Sequence, residues 1–264
     1  MPTEGGPAGE RLPAGETPPA GALPDGIDAR VAMVDEATEE LLLALAGPGW
    51  AGVDPGRATL CPGWTAGHVL THLARNADGL RRSAEGARRG EDVPMYDSAE
   101  ARDGDIEAGA GRSLLDLVAD VTGSARALAV TWAGMDEAAW ARQMPHHRVG
   151  RLPVAVSPTL RLSEVLIHHI DLAGPYGPAD WPAVFVAGLL SDAGDELAGR
   201  LPAGTDAEVR ATDTGAVWTV GAGGRMTVSG PSWAVAAWLV GRRAAAQPAL
   251  SVDGGDLPEL EAWR

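Results

Sequence analysis

The amino-acid sequence predicts a four-helix bundle followed by a small domain of mixed α+β class. Between residues 28 and 172, apolar side chains recur at helical spacing in four long segments, with one long crossover between them. After residue 178 the pattern changes to short runs of alternating apolar and polar residues beside two helical segments. We therefore expect a disordered tail over residues 1–24, a helical bundle over 25–177 and an α+β domain over 178–264.

The predicted tail and the first two helices differ in composition. Residues 1–24 consist mainly of Pro, Gly, Ala and Glu, with almost nothing apolar to bury. Helical periodicity begins at Asp28 and predicts a first helix that ends near Ala46. After a loop rich in Gly and Pro, Thr65 is a good N-cap for a second helix over residues 66–89.

Two connecting segments separate the remaining helices of the bundle. Residues 90–111 are expected to be mostly connection, with at most a short helix. A third long helix is predicted from Ser113 to about Trp132, with Leu and Val side chains on its inner side. A Pro-flanked loop then leads to the fourth helix, from Leu160 to Leu172.

The predicted second domain follows the segment "AGPYGPADWP". A helix is expected near residues 184–201, and three short strands are expected in "AEVRAT", "AVWTVG" and "RMTVSG". The helix "SWAVAAWLVGRR" and a last extended run, "ALSVDG", complete the chain. Strands with period-two alternation beside two helices indicate a small α+β domain.

The composition excludes several classes of function. The chain has 264 residues, of which 45% are hydrophobic and 22% are charged, as in globular proteins with a real core. Its net charge of −15 argues against non-specific nucleic-acid binding, which needs a basic face to displace counterions. The chain contains no lysine, so arginine is the only permanently charged side chain that can hold an anionic substrate.

Cysteine content and hydropathy indicate the cellular setting. Cys61 is the single cysteine, which excludes an intrachain disulfide and a cysteine-based zinc cluster. The sequence shows no basic N-terminal segment leading into an apolar stretch, and no apolar run approaches ~18 residues. We therefore expect a cytoplasmic protein without a membrane span, and we favour a monomer.

The segment "SEVLIHHIDL" (residues 163–172) places ionisable groups in an otherwise apolar helix. Glu164 and His168 are four residues apart and share one helix face, and His72 stands on the second helix. One carboxylate and two imidazoles are suited to one metal ion and leave a tetrahedral position open, as in catalytic zinc sites. The alternative is a hydrogen-bonded Glu–His pair in the core, since structural ion pairs are common.

The other histidines have less specific expectations. His68 is expected to support a metal ligand or to face solvent. His169 points about 100° away from its neighbour on the helix, so it is expected in packing or on the surface. His146 and His147 are expected to be solvated loop residues, and Asp171 is a candidate to orient a ligand histidine.

Three stretches of the bundle resemble segments of a known family. They are "GWTAGHVLTHLARNADGL", "EDVPMYDSAEARDGDI" and "SEVLIHHIDLAG". The C-terminal stretches "SGPSWAVAAWLVGRR" and "LPELEAW" are similar to the second, sterol-carrier-like domain of the same family. Over roughly residues 28–264 the chain resembles the mycothiol-dependent maleylpyruvate isomerases of actinobacteria, which have a DinB-like metal-binding bundle.

The resemblance implies roles for individual residues. The family's ligands for zinc, or for another divalent metal, match His72, Glu164 and His168. Its functional arginine matches Arg242, which is expected to reach the metal cleft and stabilise an enolate. Arg225 is the second candidate for this role. The residues that are expected to line the thiol or substrate pocket are Trp64, Asn76, Tyr96 and Arg102.

The resemblance also implies a reaction. The thiolate of mycothiol adds to the conjugated double bond of maleylpyruvate, the resulting single bond rotates, and elimination gives fumarylpyruvate in gentisate-type aromatic catabolism. Cys61 is then a small half-buried loop residue and not the nucleophile. Two alternatives stay open: a mycothiol S-transferase that acts on another electrophile, and a non-enzymatic, metal-stabilised binding module.

Overall fold

The computed structural model describes residue 23, residues 26–146 and residues 150–261. The predicted tail lies outside the described residues except for Leu23, and so does His147. In chain order the helices are α1 (Ile27–Ala46), α2 (Ala66–Arg89), α3 (Ala99–Ala110), α4 (Leu114–Ala133), α5 (Glu137–Ala141), α6 (Ser157–Asp171), α7 (Ala183–Asp195), α8 (Leu197–Arg200), α9 (Ser232–Leu239) and α10 (Arg243–Ala246). The strands are β1 (Gln143–His146), β2 (Gly150–Pro153), β3 (Ala207–Ala211), β4 (Val217–Val220), β5 (Met226–Gly230) and β6 (Ser251–Asp253).

The four long helices α1, α2, α4 and α6 form the predicted bundle around an apolar core. Helix α2 packs against α3, α4 and α6, while α1 packs against α4 and α6. A helix with neighbours on three sides buries residues around most of its circumference, and α2 does so. Leucines of this core without exposed surface are Leu41, Leu70, Leu73, Leu80 and Leu117.

The ends of α2 show how the sequence places its histidines. The Thr65 hydroxyl accepts a hydrogen bond from the backbone N–H of His68, and His68 Nδ1 accepts one from the backbone N–H of Thr65. This reciprocal capping box satisfies donors that the first helical turn leaves free. At the other end Gly90 has a φ of 81°, the left-handed conformation that favours glycine and ends helices. The predicted bounds of this helix are confirmed.

Helix α3 is longer than the sequence pattern indicates. It is capped by the Ser98 hydroxyl and fills residues that the sequence assigns mostly to a connection. Its apolar stripe is weak, because its buried residues are Ile106 and Ala110. Close backbone packing holds it instead: a Cβ atom at Gly67 of α2 would lie 1.9 Å from the Ala110 carbonyl oxygen. Such packing depends on tertiary structure and leaves no periodic signal.

The predicted loop after α4 also contains regular structure. It includes helix α5 and an antiparallel hairpin of β1 and β2, in which Gln143 pairs with Pro153 and His146 with Gly150. His146 is therefore a strand residue, contrary to the prediction. Strands of four residues are too short to show clear alternation of apolar and polar side chains.

The α+β domain contains a four-stranded sheet in the order β4-β3-β5-β6. Strands β3 and β5 are parallel, whereas β4 and β6 pair antiparallel at the edges, and α9 packs against α7, β3 and β5. The helix predicted over 184–201 is divided into α7 and α8 at Glu196, whose backbone N–H closes a tight turn on the Gly194 carbonyl. Glycine is needed here, since a Cβ at Gly194 would lie 2.2 Å from Trp218 Nε1.

The bundle and the α+β domain share one continuous apolar core. Between them, Trp181 Nε1 donates to the Leu166 carbonyl of α6 (3.1 Å). Helix α9 ends earlier than predicted because Gly241 is left-handed (φ 84°), and this turn directs Arg242 back toward α6. The domain boundary near residue 177 stays a prediction. Among the described residues, no helix is long and apolar enough to cross a membrane.

Candidate metal centre and active site

One face of α6 carries a row of polar side chains: Arg161, Glu164, His168 and Asp171. Their spacings of three, four and three residues return to the same side of an α-helix. Arg161 and Asp171 have no exposed surface, whereas the Glu164 side chain is 32% exposed. This set is termed the α6 polar row, and its middle opens toward solvent.

His72 from α2 meets two members of the α6 polar row. Its Nε2 atom lies 2.8 Å from Glu164 Oε2, and His168 Nε2 lies 3.2 Å from the same oxygen. The candidate ligand atoms of these three residues, termed the His–Glu–His cluster, lie within 4.8 Å of one another. Two imidazole nitrogens and a carboxylate oxygen are suitable ligands for a divalent ion. The three atoms that now form hydrogen bonds with one another are the atoms that would bind the metal.

Each imidazole of the cluster is held by a neighbour at its other nitrogen. His168 Nδ1 lies 2.7 Å from Asp171 Oδ2. An ionised carboxylate only accepts hydrogen bonds, so Nδ1 of this ring carries the proton and Nε2 faces Glu164. Arg102 Nη2 lies 3.3 Å from His72 Nδ1. Both rings therefore present Nε2 to the centre of the cluster.

Arg242 reaches this centre from the α+β domain. Its Nε atom lies 3.1 Å from Asp171 Oδ1, and its Nη2 atom lies 2.6 Å from Asp171 Oδ2. The two parallel bonds form a fork between guanidinium and carboxylate. The Nη1 atom donates to the Val240 carbonyl (3.0 Å). Hydrogen bonds thus run from Arg242 through Asp171 to His168, across the interface of the two domains.

The charges of the centre stabilise one another. Burial alone would raise the pKa of Asp171, but hydrogen bonds from His168 and Arg242 hold it far below its usual value. Burial also opposes ionisation of Glu164, yet His72 and His168 keep its pKa well below the ordinary range. Burial lowers the pKa of His72. Both carboxylates are therefore anionic in the folded chain, as a cation site requires.

The imidazole of His168 differs from that of His72. Burial alone would lower the pKa of His168, but hydrogen bonds, first of all the one to Asp171, raise it well above its usual value. A proton on this ring and a metal ion compete for the same Nε2 lone pair. The carboxylates of Asp171 and Glu164 beside this ring thus favour its cationic form.

Two of the residues expected to line the pocket lie beside the cluster or behind it. The Trp64 ring lies 5.3 Å from the His72 ring and 6.1 Å from the His168 ring, to which it is nearly parallel (23°). Asn76 is buried, and its Oδ1 atom accepts a hydrogen bond from Arg161 (2.9 Å). Trp64 thus contacts the cluster directly, whereas Asn76 contacts the α6 polar row.

Tyr96 and Arg102 belong to the segment that leads into α3 and to α3 itself. The Tyr96 ring packs over α2, where its Cε1 atom lies 3.3 Å from the Cβ position of Gly79. Burial raises the pKa of Tyr96 to about 12, so its hydroxyl is a neutral donor. Arg102, besides facing His72, donates to Asp103 (2.6 Å).

The chain matches a known protein family over most of the bundle. The family described as "Mycothiol maleylpyruvate isomerase N-terminal domain" matches residues 31–173, more than half of the chain. The chain belongs to this family. Two solved structures share its fold over 90% of this chain and 97% of theirs: a mycothiol-dependent maleylpyruvate isomerase (TM-score 0.79, 25% identity) and a histidine-to-alanine mutant (TM-score 0.80, 24% identity). A search of curated proteins found no match.

In this member of the maleylpyruvate isomerase family, Cys61 is the half-buried loop residue that the sequence predicts, and it also contacts the centre. Its Sγ atom lies 3.0 Å from Asp171 Oδ2 and 3.7 Å from Arg242 Nη2. Cys61, His168 and Asp171 form a second set of ligand atoms within 4.8 Å. The Asp171 oxygens already accept from Arg242 and His168, so Glu164 is the carboxylate better placed to bind a metal ion.

Arg161 also belongs to the centre, although the sequence pattern did not predict it as a site residue. Helix α6 begins at Ser157, before the predicted Leu160, so Arg161 lies well inside the helix. The signal that points to it is its spacing of three residues from Glu164, which places both on one face. The spacing does not show that the side chain is fully buried, which depends on α2.

The remaining candidates lie outside the cluster. His68 caps α2, and its Nε2 atom lies 3.0 Å from a carboxylate of α3. His169 is buried and stacks on the Tyr176 ring at 3.9 Å and 4°, and burial lowers its pKa to about 4. Arg225 is exposed in the turn between β4 and β5. Of the two candidate arginines, Arg242 is the one that contacts the centre.

Proposed function

We propose that this protein is a mycothiol-dependent isomerase that converts maleylpyruvate to fumarylpyruvate in gentisate-type aromatic catabolism. The observation that carries the proposal is the convergence of His72, Glu164 and His168 in a chain of this family. These residues are the proposed ligands of a divalent metal, for which we propose zinc. Three protein ligands leave one tetrahedral position open, which is typical of catalytic rather than structural sites.

The proposed reaction uses an external thiol. Its thiolate adds to the conjugated double bond: a C–S bond forms, and the π electrons move to the keto oxygen of the substrate as an enolate. The remaining single bond rotates, and the return of the electrons expels the thiolate and leaves the trans isomer. Bound zinc would hold the thiol sulfur and keep it deprotonated near neutral pH.

The chain's own residues orient the reacting groups. Asp171 holds His168 by Nδ1, which keeps Nε2 directed at the cluster. Arg242 is the proposed catalytic residue, a permanent cation for the enolate oxygen. Because Asp171 occupies its Nε–Nη2 edge, Arg242 would act through its remaining N–H groups and not as a two-point clamp.

The proposed pocket surrounds the cluster on the side of α2 and α3. Trp64 lies against both histidine rings and would exclude water from the bound thiol. Tyr96 and Arg102 are proposed to contact the substrate or the thiol, because both lie close to the cluster. Asn76 is proposed to act indirectly, through its hydrogen bond with Arg161.

The test is an assay of purified, zinc-loaded protein with mycothiol and maleylpyruvate. Ultraviolet absorbance follows the dienol chromophore, and thiol titration follows mycothiol in the same sample. An isomerase consumes the cis substrate, conserves the thiol and stops when mycothiol is omitted. Stoichiometric loss of thiol would indicate an S-transferase, and absence of any turnover would favour a binding module.

The proposal includes the setting of the enzyme. We propose that it acts in the cytoplasm as a monomer, with mycothiol and an anionic small molecule as its partners. Light scattering on the purified chain tests the oligomeric state, and cell fractionation tests the location. The monomer is contradicted if the measured mass is a multiple of the chain mass of 27.1 kDa.

A further inference from the structure

Arg161 is a buried cation whose hydrogen-bonding capacity is only partly used. The residue is 0% exposed, and its Nη1 atom donates to the Leu73 carbonyl (2.7 Å) and to Asn76 Oδ1 (2.9 Å). Its Nε and Nη2 atoms are buried without a hydrogen-bond partner among the described residues. Buried donors without partners are destabilising, and more so on a charged group.

The unpartnered atoms form one edge of the guanidinium. Nε–H and one N–H of Nη2 point in the same direction, at a spacing that matches the two oxygens of a carboxylate. Arg242 uses the same two atoms to hold Asp171. The chain therefore shows how this edge binds a carboxylate, and Arg161 offers the same edge without one.

The closest carboxylate along α6 does not fill this edge. Glu164 lies one helical turn away, but its Oε2 atom faces His72 and His168. Burial lowers the pKa of Arg161 to about 10, while the charges of Glu164 and Asp78 oppose this shift. The guanidinium thus remains charged near neutral pH, and a buried charge requires an anion that is bonded to it.

A second unpartnered donor lies in the same part of the bundle. The Tyr96 hydroxyl is buried beside Arg102, which can donate to its oxygen, while the hydroxyl's own hydrogen has no acceptor within the described ranges. Its ring is fixed over Gly79 of α2, the helix that also anchors Arg161. The charges of Arg102 and Arg161 act on the Tyr96 hydroxyl and oppose the rise of its pKa by burial. A neutral donor therefore stands near two guanidinium groups.

The α6 polar row places the free edge of Arg161 one helical turn from its solvent-exposed member, Glu164. The Glu164 side chain is 32% exposed, and its residue is about 4.5 Å from Arg161 along the helix axis. Because Arg161 has no exposed surface, an anion that enters beside Glu164 reaches this edge only after the side chains that cover it move aside. At the other end of the row, about 15 Å along the axis, Arg242 is already paired with Asp171.

We propose that the Nε–Nη2 edge of Arg161, with the Tyr96 hydroxyl, binds a carboxylate group of the substrate beside the His–Glu–His cluster. The inference rests on the proposed function, whose substrate carries two carboxylates. It assigns two-point carboxylate recognition to Arg161 and leaves Arg242 as the cation for the enolate. Asn76 is then a positioning residue that holds the Arg161 guanidinium.

Maleate is the probe, because this cis-dicarboxylate carries two carboxylates, as the proposed substrate does, and cannot turn over in the absence of thiol. Isothermal titration measures its affinity for the zinc-loaded wild type and for Arg161→Gln, Arg161→Lys and Tyr96→Phe, with the zinc content of each sample determined. The matched control is Arg200→Gln, since Arg200 is also buried but bonds the Glu261 carbonyl in the other domain. The neutral diamide of maleic acid tests whether charge is recognised.

The expected losses follow from the bonds removed. Arg161→Gln should weaken maleate binding ~10²-fold or more, because two charge-assisted hydrogen bonds are lost. Arg161→Lys should recover only part of this, because an ammonium lacks the two-point fork. Tyr96→Phe should weaken binding about tenfold, and Arg200→Gln should leave it unchanged. The neutral diamide should bind far more weakly than maleate.

Tyr96→Phe keeps the test decisive if Arg161→Gln does not fold. Phenylalanine keeps the ring over Gly79 and removes only the hydroxyl, so the variant should fold and hold zinc as the wild type does while maleate binding weakens. Unchanged maleate affinity in Tyr96→Phe, or in a folded and zinc-loaded Arg161→Gln, would overturn the inference. Maleate binding that depends on Arg161, in a protein that does not isomerise maleylpyruvate, would support the carboxylate site and overturn the proposed reaction.

Discussion

The two ends of the α6 polar row present an arginine in opposite states. At the C-terminal end, Arg242 is paired with the buried Asp171 through its Nε–Nη2 edge. At the N-terminal end, Arg161 has the same edge buried and unpaired. A paired arginine neutralises and positions its neighbour, whereas an unpaired one keeps capacity for a ligand. The role of each arginine follows from its partners and not from its residue type.

The first prediction concerns the His–Glu–His cluster, which lies between the two ends of the α6 polar row. His72→Ala deletes one of three proposed ligands, so zinc content should fall well below one per chain and turnover should fall by ~10²-fold or more. Chelation of the wild type should give the same loss, and added zinc should restore activity. Elemental analysis and the maleylpyruvate assay measure the two effects.

His68→Ala is the matched control for this prediction, because His68 stands one turn earlier on α2 and outside the cluster. It should keep its zinc and lose about 1 kcal/mol of stability through the helix cap. Zinc bound equally well by His72→Ala and by the wild type would show that the ligand assignment is wrong.

The second prediction concerns the pair of Arg242 and Asp171 at the C-terminal end of the row. Arg242→Ala should reduce turnover by ~10²-fold, the scale on which a donor to a developing oxyanion acts. It should also lower the free energy of unfolding by about 2–4 kcal/mol, because the buried Asp171 carboxylate loses its cationic partner. Kinetics and chemical denaturation measure these effects separately.

Two further variants control for the loss of charge. Arg242→Lys should recover only part of the turnover, because a point charge does not replace the fork. Arg225→Ala removes an exposed arginine of the same domain and should change neither property. A fully active Arg242→Ala enzyme would remove the α+β domain's arginine from the proposed mechanism.

The third prediction concerns Asp171, which connects Arg242 with His168 of the cluster. Asp171→Asn keeps the size of the side chain but removes the charge that holds both His168 and Arg242. Zinc affinity and turnover should each fall by 10–100-fold, as is typical when the partner of a ligand histidine is lost. Competition with a chromophoric chelator gives the affinity. Asp213→Asn, which alters a capping carboxylate of α9, should leave zinc affinity unchanged.

The smallest effect is expected at Cys61. Serine retains a donor for Asp171, so Cys61→Ser should change turnover by no more than about threefold. Omission of mycothiol from the same assay should abolish turnover, because the nucleophile is external. Loss of turnover in Cys61→Ser, with no response to added thiol, would instead place the nucleophile inside the chain.

The sequence predicted the elements whose signals are local. Periodicity predicted helices α2 and α4, with Thr65 as the cap of α2, and alternation predicted the strands of the α+β domain. Helix α3 was underestimated, because its contact with α2 depends on the close approach of Gly67 to Ala110 and not on an apolar stripe. The β1–β2 hairpin was missed because its strands are too short for a periodic signal.

For the site, too, the residues with a local sequence signal were predicted and those that depend on tertiary contacts were not. The shared face of Glu164 and His168 follows from their spacing, the second helix offered His72 as a candidate third member, and the resemblance supported the set. The contact of Cys61 with Asp171 joins residues 110 positions apart, which no local pattern encodes. The sequence likewise could not predict the free Nε–Nη2 edge of Arg161, because the lack of a hydrogen-bond partner is a property of the folded structure.

The left-handed turn at Gly241 affects the order in which the site is assembled. Synthesis proceeds from the N-terminus, so the whole His–Glu–His cluster leaves the ribosome before strand β3. Arg242 follows only after the sheet strands and α9, and its fork with Asp171 forms once the turn at Gly241 has folded. Until then Asp171 lacks its arginine partner. The order of the chain therefore places all three candidate metal ligands before Arg242, the residue that links the centre to the α+β domain.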